Sequence, residues 1–145
     1  MRVLVQRSGK AKVTIDEKEV GKIDSGLVLL VGFTQGDDLD KVRYLAKKVV
    51  NLRIFPDEDD IMNKSLLDFG GDILSVSQFT LYGSLVKGNR PSYIEALKGE
   101  EAITLYNAFN EELRTYGVRV ETGVFGADMN VEINNIGPTT IWLEK

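Results

Sequence analysis

"GLVLLVGF" (Gly26–Phe33) is an unbroken apolar run bounded by glycines. A run this short and this uniform suits a strand buried on both faces, so material must cover it from two sides. The neighbouring segments read as its partners. "MRVLVQRSGKAKVTI" alternates through Val3, Val5, Ala11, Val13 and Ile15, which predicts two strands broken at Ser8–Lys10. "DEKEVGKI" reads as a turn and a short third strand. "LRIFPDEDD" predicts a strand leaving the core, stopped by Pro56 and an acidic loop. "GGDILSVSQFTLYG" reads as a glycine-led strand, with Ile73, Ser75, Ser77 and Phe79 on one side and Leu74, Val76, Gln78 and Thr80 on the other.

Two segments carry the helical period instead. In "GDDLDKVRYLAKKVVNL", Leu39, Val42, Leu45, Ala46 and Val49 share one face, with Asp37 as the expected N-cap. In "EEAITLYNAFNEELRTYG" the stripe is Ala102, Leu105, Tyr106, Phe109, Leu113 and Tyr116, and Gly117 is the expected stop. "VRVETGVFG", "MNVEINN" and "TTIWLEK" read as closing strands, with "NNIGPTT" as a turn between the last two. Helices do not alternate with every strand. The fold class expected is therefore α+β, with mainly antiparallel sheets in a barrel-like arrangement and two main amphipathic helices. The length, 145 residues, fits a single domain over 1–145 with a proper core.

The chain contains no histidine and no cysteine. That excludes a Ser-His-Asp or Cys-His device, disulfides and thiolate chemistry, and it leaves only carboxylates as zinc ligands. "PDEDD" lacks the spacing of a calcium loop, and no metal or cofactor is expected. Net charge is −4, which weighs against broad electrostatic binding of a nucleic-acid duplex while leaving room for a local basic patch. No apolar run approaches a membrane span, and the N-terminus has no signal-peptide pattern, so a cytoplasmic protein is expected.

Two stretches stand out from plain strand and turn. In "SVSQFTLYG" a glutamine, Gln78, lies between Val76 and Thr80 on one face; buried without partners it would cost about 1–3 kcal/mol. "NNIGPTT" holds a Gly-Pro pair suited to a tight loop. Ser77-Gln78-Phe79-Thr80-Leu81 resembles the SQFTL signature of D-aminoacyl-tRNA deacylases, and Asn134 to Thr140 resembles their C-terminal Gly-Pro motif. "MRVLVQR", "NLRIF", "MNKSLLD", "KGNRPSY" and "ETGVFGADM" extend the likeness, in order, over nearly the whole chain. Ile136 and Thr139 stand where the familiar Gly-Pro motif has aspartate and valine. The loop "LYGSLVKGN" is less polar and less basic than the usual form.

The resemblance implies a homodimeric hydrolase that cleaves the ester between a D-amino acid and the tRNA 3′ end, with active sites at the subunit interface. Ser77, Gln78, Phe79 and Thr80 would form the catalytic stretch. A cis Gly137–Pro138 pair would reach into the partner's pocket and exclude L-amino acids by overlap. Phe125, Met129 and Asn134 are candidate pocket residues, and Lys87 and Arg90 candidate tRNA contacts. An aminoacyl ester is already activated, so positioned backbone amides, here those of Phe79 and Thr80, can suffice without an ionisable side chain. Thr80 as a covalent nucleophile is the competing mechanism; it requires an activating base. A wall that works by overlap cannot reject glycine, so glycyl-tRNA is an expected substrate. The rival readings are a non-catalytic dimeric module for an RNA end and a small-ester hydrolase.

Overall fold

The computed structural model describes all 145 residues, Met1–Lys145. In chain order the elements are β1 (Arg2–Ile15), β2 (Lys18–Ile23), β3 (Gly26–Gly32), α1 (Leu39–Asn51), β4 (Phe55–Pro56), β5 (Met62–Lys64), α2 (Leu66–Phe69), β6 (Asp72–Ser77), a 3₁₀ turn (Phe79–Tyr82), α3 (Gly99–Thr115), β7 (Val120–Thr122) and β8 (Asn130–Glu144).

The sheet is organised around β1. Its chain reverses at Asp16–Glu17, and β2 and β3 then follow one edge of β1 in succession. Val13 faces Gly21, Ala11 faces Ile23, Ser8 faces Gly26 and Arg2 faces Gly32. β8 runs antiparallel along the other edge, from Thr14↔Asn130 to Arg2↔Glu144. β6 and β7 add in parallel beyond β3. The sheet order is β2-β1-β3-β6-β7, with β8 on β1, and β4 and β5 form a separate small hairpin. A Cβ built on Gly21 of β2 would stand 2.7 Å from the carbonyl of Thr122 in β7, so the two ends of the sheet curl together into a nearly closed barrel.

This curl explains the uniform apolar run. Leu27, Leu29 and Val31 of β3 join Val3, Val5 and Ile73 in the main core under α1 and α3. Val28 points the other way, into a second cluster with Ala11, Val13, Ile23, Leu74 and Val76. α1 contributes Val42, Leu45, Ala46, Val49 and Val50 to the main core, and α3 contributes Ala102, Leu105, Tyr106, Phe109 and Leu113. Gly117 follows α3 at φ +81°, the left-handed stop expected of it. No helix is long and apolar enough to cross a membrane.

Several expectations give way to long-range contacts. β1 is one strand, not two: Ser8 is buried and donates to the Asn134 carbonyl at 3.1 Å, so its polar group costs nothing inside the sheet. Asp38, not Asp37, caps α1, accepting from the Lys41 amide at 2.9 Å. Asp37 is instead taken by the Met1 ammonium at 2.7 Å, with both groups buried. Leu39 is exposed. Pro56 lies inside the β4 ladder. "NNIGPTT" is no free turn; it lies within β8. The last strand of the α+β core, β8, is thus continuous where two strands were expected.

Candidate functional site

β6 does not run on through Gln78 and Phe79. It ends at Ser77, and the chain turns at Gln78 (φ −145°, ψ 80°) into the 3₁₀ turn. The Gln78 amide donates to the Val31 carbonyl at 2.7 Å, the last bond to β3 before the chain leaves the sheet. Gly32 permits this departure: a Cβ there would stand 2.8 Å from the Gln78 carbonyl. The strict alternation of sides expected for this stretch therefore stops at Ser77. Gln78 is half-buried rather than enclosed between strands, and its side-chain amide donates to Thr80 Oγ1. Phe79 and Thr80 are exposed at the surface.

A helical turn leaves its first amides without partners inside the turn. Here the Leu81 amide donates back to the Gln78 carbonyl at 3.3 Å, while the Phe79 and Thr80 amides donate to no loop or turn carbonyl and to no side chain. Two adjacent N–H groups are thus free, and the first belongs to a residue, Phe79, that lines a cavity of about 280 Å³. Val31, Gly32 and Val76–Phe79 form its sheet side. Leu97 and Ala102 close a second side, and Phe125–Met129 with Val131 the third. Phe125 and Met129 are half-buried and line this cavity. Phe125 also packs on the Tyr106 ring, centroids 5.8 Å apart. The Tyr106 hydroxyl donates to the Ser75 carbonyl at 2.8 Å, fixing β6 from behind, and burial raises its pKa.

The turn is fastened at its far end by Arg2. Its guanidinium donates to the Leu81 carbonyl at 2.9 Å, covers the Tyr82 ring at 4.2 Å and pairs with Glu144 at 2.9 Å. Burial pushes the Tyr82 hydroxyl pKa strongly upward. Asp128 is the one charged side chain lining the cavity, and nowhere do three or more carboxylates gather as a metal site would require.

Gly137 and Pro138 do not line this cavity; nor does Asn134, which is exposed on β8. The pairing of β8 with β1 slips between Gln6↔Thr140 and Ser8↔Asn135, so the Gly-Pro segment stands out from the strand as a bulge. Asn135 closes its base, donating to the Arg7 carbonyl at 2.9 Å and the Thr139 carbonyl at 3.1 Å. Arg7 binds the Ile136 carbonyl at 3.2 Å and the Ile54 carbonyl at 2.6 Å. Gly137 lies at φ +114°. Every peptide bond is trans, including the one before Pro138, which corrects the cis geometry implied by the resemblance; the bulge accommodates the pair within an otherwise extended strand. Lys87 and Arg90 lie exposed on the Ser84–Ser92 loop without ion pairs, outside the cavity.

Ser77–Phe79, Phe125 and Met129 were singled out by sequence, the first stretch as strand rather than turn, whereas Val31, Gly32, Leu97 and Ala102 carry no chemical signal of their own. It also assigned no role to Arg2, Arg7 or Asn135, whose partners lie far along the chain.

The family described as D-Tyr-tRNA(Tyr) deacylase matches residues 4–144. A D-aminoacyl-tRNA deacylase of Geobacillus sp. (strain WCH70) is 56% identical over 145 residues, covering 100% of this chain and 95% of that protein. One from Thermus aquaticus is 54% identical, with the same coverage. Among solved structures, the c-Myc DNA Unwinding Element Binding Protein superposes with a TM-score of 0.94 at 39% identity, covering 100% of this chain and 99% of the other. A probable eukaryotic D-amino acid tRNA deacylase superposes at 0.84 with 20% identity, covering 98% and 97%, a likeness of fold.

Proposed function

The chain belongs to the D-aminoacyl-tRNA deacylase family and is a hydrolase of the aminoacyl-tRNA ester; from that premise we propose that the cavity beside Gln78 holds the ester of a D-amino acid, and that the free amides of Phe79 and Thr80 bind its developing oxyanion. Water attacks the ester carbon, the carbonyl oxygen takes negative charge, and collapse expels the ribose oxygen, which takes a proton originating from that water. The neighbouring ribose hydroxyl orients the attacking water. Ser77 and Gln78 shape the turn that presents the amides. Thr80 serves through its amide, since its hydroxyl accepts from Gln78 and hydrogen-bonds to no carboxylate or lysine.

The observation that carries this reading is the pair of adjacent unpartnered amides, the first of them on cavity-lining Phe79. Donors fixed before the reaction stabilise charge as it forms, without reorganisation. The chirality filter follows from a second observation. The Gly-Pro bulge is rigidly tied at its base yet lies outside the cavity of its own chain. It completes the cavity of a second subunit, so the working form is a homodimer with tRNA ends entering at the interface. Backbone placed where an L side chain would go rejects it by overlap. Glycine escapes this wall, so glycyl-tRNA is also hydrolysed.

The deciding experiment follows D-tyrosyl-tRNA, L-tyrosyl-tRNA and glycyl-tRNA with and without the protein. Fast loss of the D and glycyl esters, with the L ester spared, is the expected result. If none is lost, the protein is an RNA-end binder rather than a catalyst. Undiminished hydrolysis of a substrate with a 2′-deoxy terminal ribose rejects the role given to the ribose hydroxyl.

A further inference from the structure

The Phe79 ring raises a question that the ester chemistry leaves open. Phe79 lines the cavity, yet the residue is 46% exposed, leaving apolar surface in water. The ring meets Tyr93 edge-on, centroids 5.1 Å apart and planes at 74°. The Lys98 ammonium is 5.6 Å from the Phe79 centroid. Lys98 directly follows Leu97, a buried wall of the cavity, so the cation emerges at the mouth. Lys98 is the N-cap residue of α3, but its side chain makes no capping hydrogen bond and no ion pair. Glu100 and Glu101 in the first turn of α3 offset the positive end of that helix, which leaves Lys98 as the available cation.

An exposed ring, a second aromatic bracing it and an unpaired ammonium beside it make the combination that holds single-stranded nucleic acid: the ring takes a base and the cation takes a phosphate. Resting on the deacylase reading, we infer that Phe79, Tyr93 and Lys98 form a second subsite for the unpaired nucleotide on the 5′ side of the terminal adenosine. The cavity holds the ester end, and the ring outside it is the next surface a strand leaving the mouth meets. A base held by stacking on the ring is bound with little regard to its identity. Lys87 and Arg90 are exposed on the loop that closes at Ser92, the residue before Tyr93.

Direct binding tests this without any turnover. The full chain is titrated with adenosine 5′-monophosphate, with the trinucleotide CpCpA, and with CpCpA abasic at its middle position. The trinucleotide should bind about tenfold more tightly than the mononucleotide, and the abasic form should lose most of that gain. Changing the middle base should alter affinity by less than about threefold, a difference smaller than the stacking itself. Tyr93→Leu should reduce the gain, and Lys98→Ala should lower the slope of log affinity against log salt by about 0.7. An abasic trinucleotide that binds as tightly as the intact one overturns the subsite. So does a full gain and salt slope in Tyr93→Leu/Lys98→Ala. Failure of D-tyrosyl-tRNA hydrolysis would remove the enzymatic reading but leave these binding ratios to decide the subsite.

Discussion

At the scale of single residues, the site divides between groups that act through side chains and groups that act through backbone. Thr80 is the sharpest case. Its hydroxyl accepts from Gln78 and hydrogen-bonds to no carboxylate or lysine, whereas its amide is free. Thr80→Ala should therefore keep hydrolysis within about tenfold of the parent, the worth of one neutral hydrogen bond. A covalent nucleophile would show itself by a far larger loss in single-turnover assays. Phe79 separates ring from amide. Phe79→Ala keeps the N–H, while Phe79→Pro removes it at the first position of a turn, where proline fits best. The proline variant should have a kcat lower than the alanine variant by about 10²–10³, the usual worth of one oxyanion donor. Equal rates would mean that the Phe79 amide binds no oxyanion. Gly137 makes its own demand. At φ +114° a Cβ would stand 2.7 Å from both the Arg7 guanidinium and Thr139 Oγ1. Gly137→Ala should cost about 1–3 kcal/mol in chemical denaturation and relax the bulge, letting L-tyrosyl-tRNA through. An unchanged unfolding midpoint would argue against the left-handed backbone at this position.

At the scale of elements, what the sequence disclosed depended on the range of the interactions that decide each piece. α1 and α3 were legible because burial repeats along them with the helical period, and β3 because an unbroken apolar run suits a strand covered on both faces. The cap of α1 was misplaced by one residue, since the Met1 ammonium that claims Asp37 is 36 residues distant. The SQFTL segment has strand-favouring residues, yet it turns because β3 ends at Gly32 and offers no further partner. The single-strand character of β8 comes from β1, whose edge overrides the turn preference of Asn, Gly and Pro. α2 is only one turn long and relies on its cap: Ser65 and Asp68 exchange side-chain and backbone hydrogen bonds in a capping box. Those bonds from Ser65 hold the Asp68 carboxyl below its ordinary pKa. A depressed carboxylate contributes stability above its unfolded pKa and loses it as pH falls through the folded value. The stability difference between the parent and Asp68→Asn should thus be constant near neutrality and shrink only below about pH 4. Urea midpoints measured from pH 7 to pH 2.5 check this, and a difference that persisted in acid would reject the capping role.

At the scale of the whole molecule, the two motifs that identify the family lie in different places on one chain. Ser77, Gln78 and Phe79 line the cavity, and the Gly-Pro bulge stands away from it on β8. Sequence could show that both motifs were present, but not that one chain fails to bring them together, because that depends on the pairing of β8 with β1 across more than a hundred residues. If one subunit supplies the cavity and another the wall, subunits with separate defects should repair each other in a particular direction. Phe79→Pro disables the cavity and keeps the wall. Gly137→Ala keeps the cavity and spoils the wall, so alone it should hydrolyse both D- and L-tyrosyl-tRNA. After the Gly137→Ala protein is unfolded and refolded with a large excess of Phe79→Pro protein, nearly every working cavity faces an intact wall from its partner. Hydrolysis of the D ester per Gly137→Ala subunit should persist, while hydrolysis of the L ester falls towards that of the parent. If the filter were supplied within one chain, mixing would leave the L-to-D ratio of the Gly137→Ala protein unchanged, and the subunit-crossing arrangement would have to be abandoned.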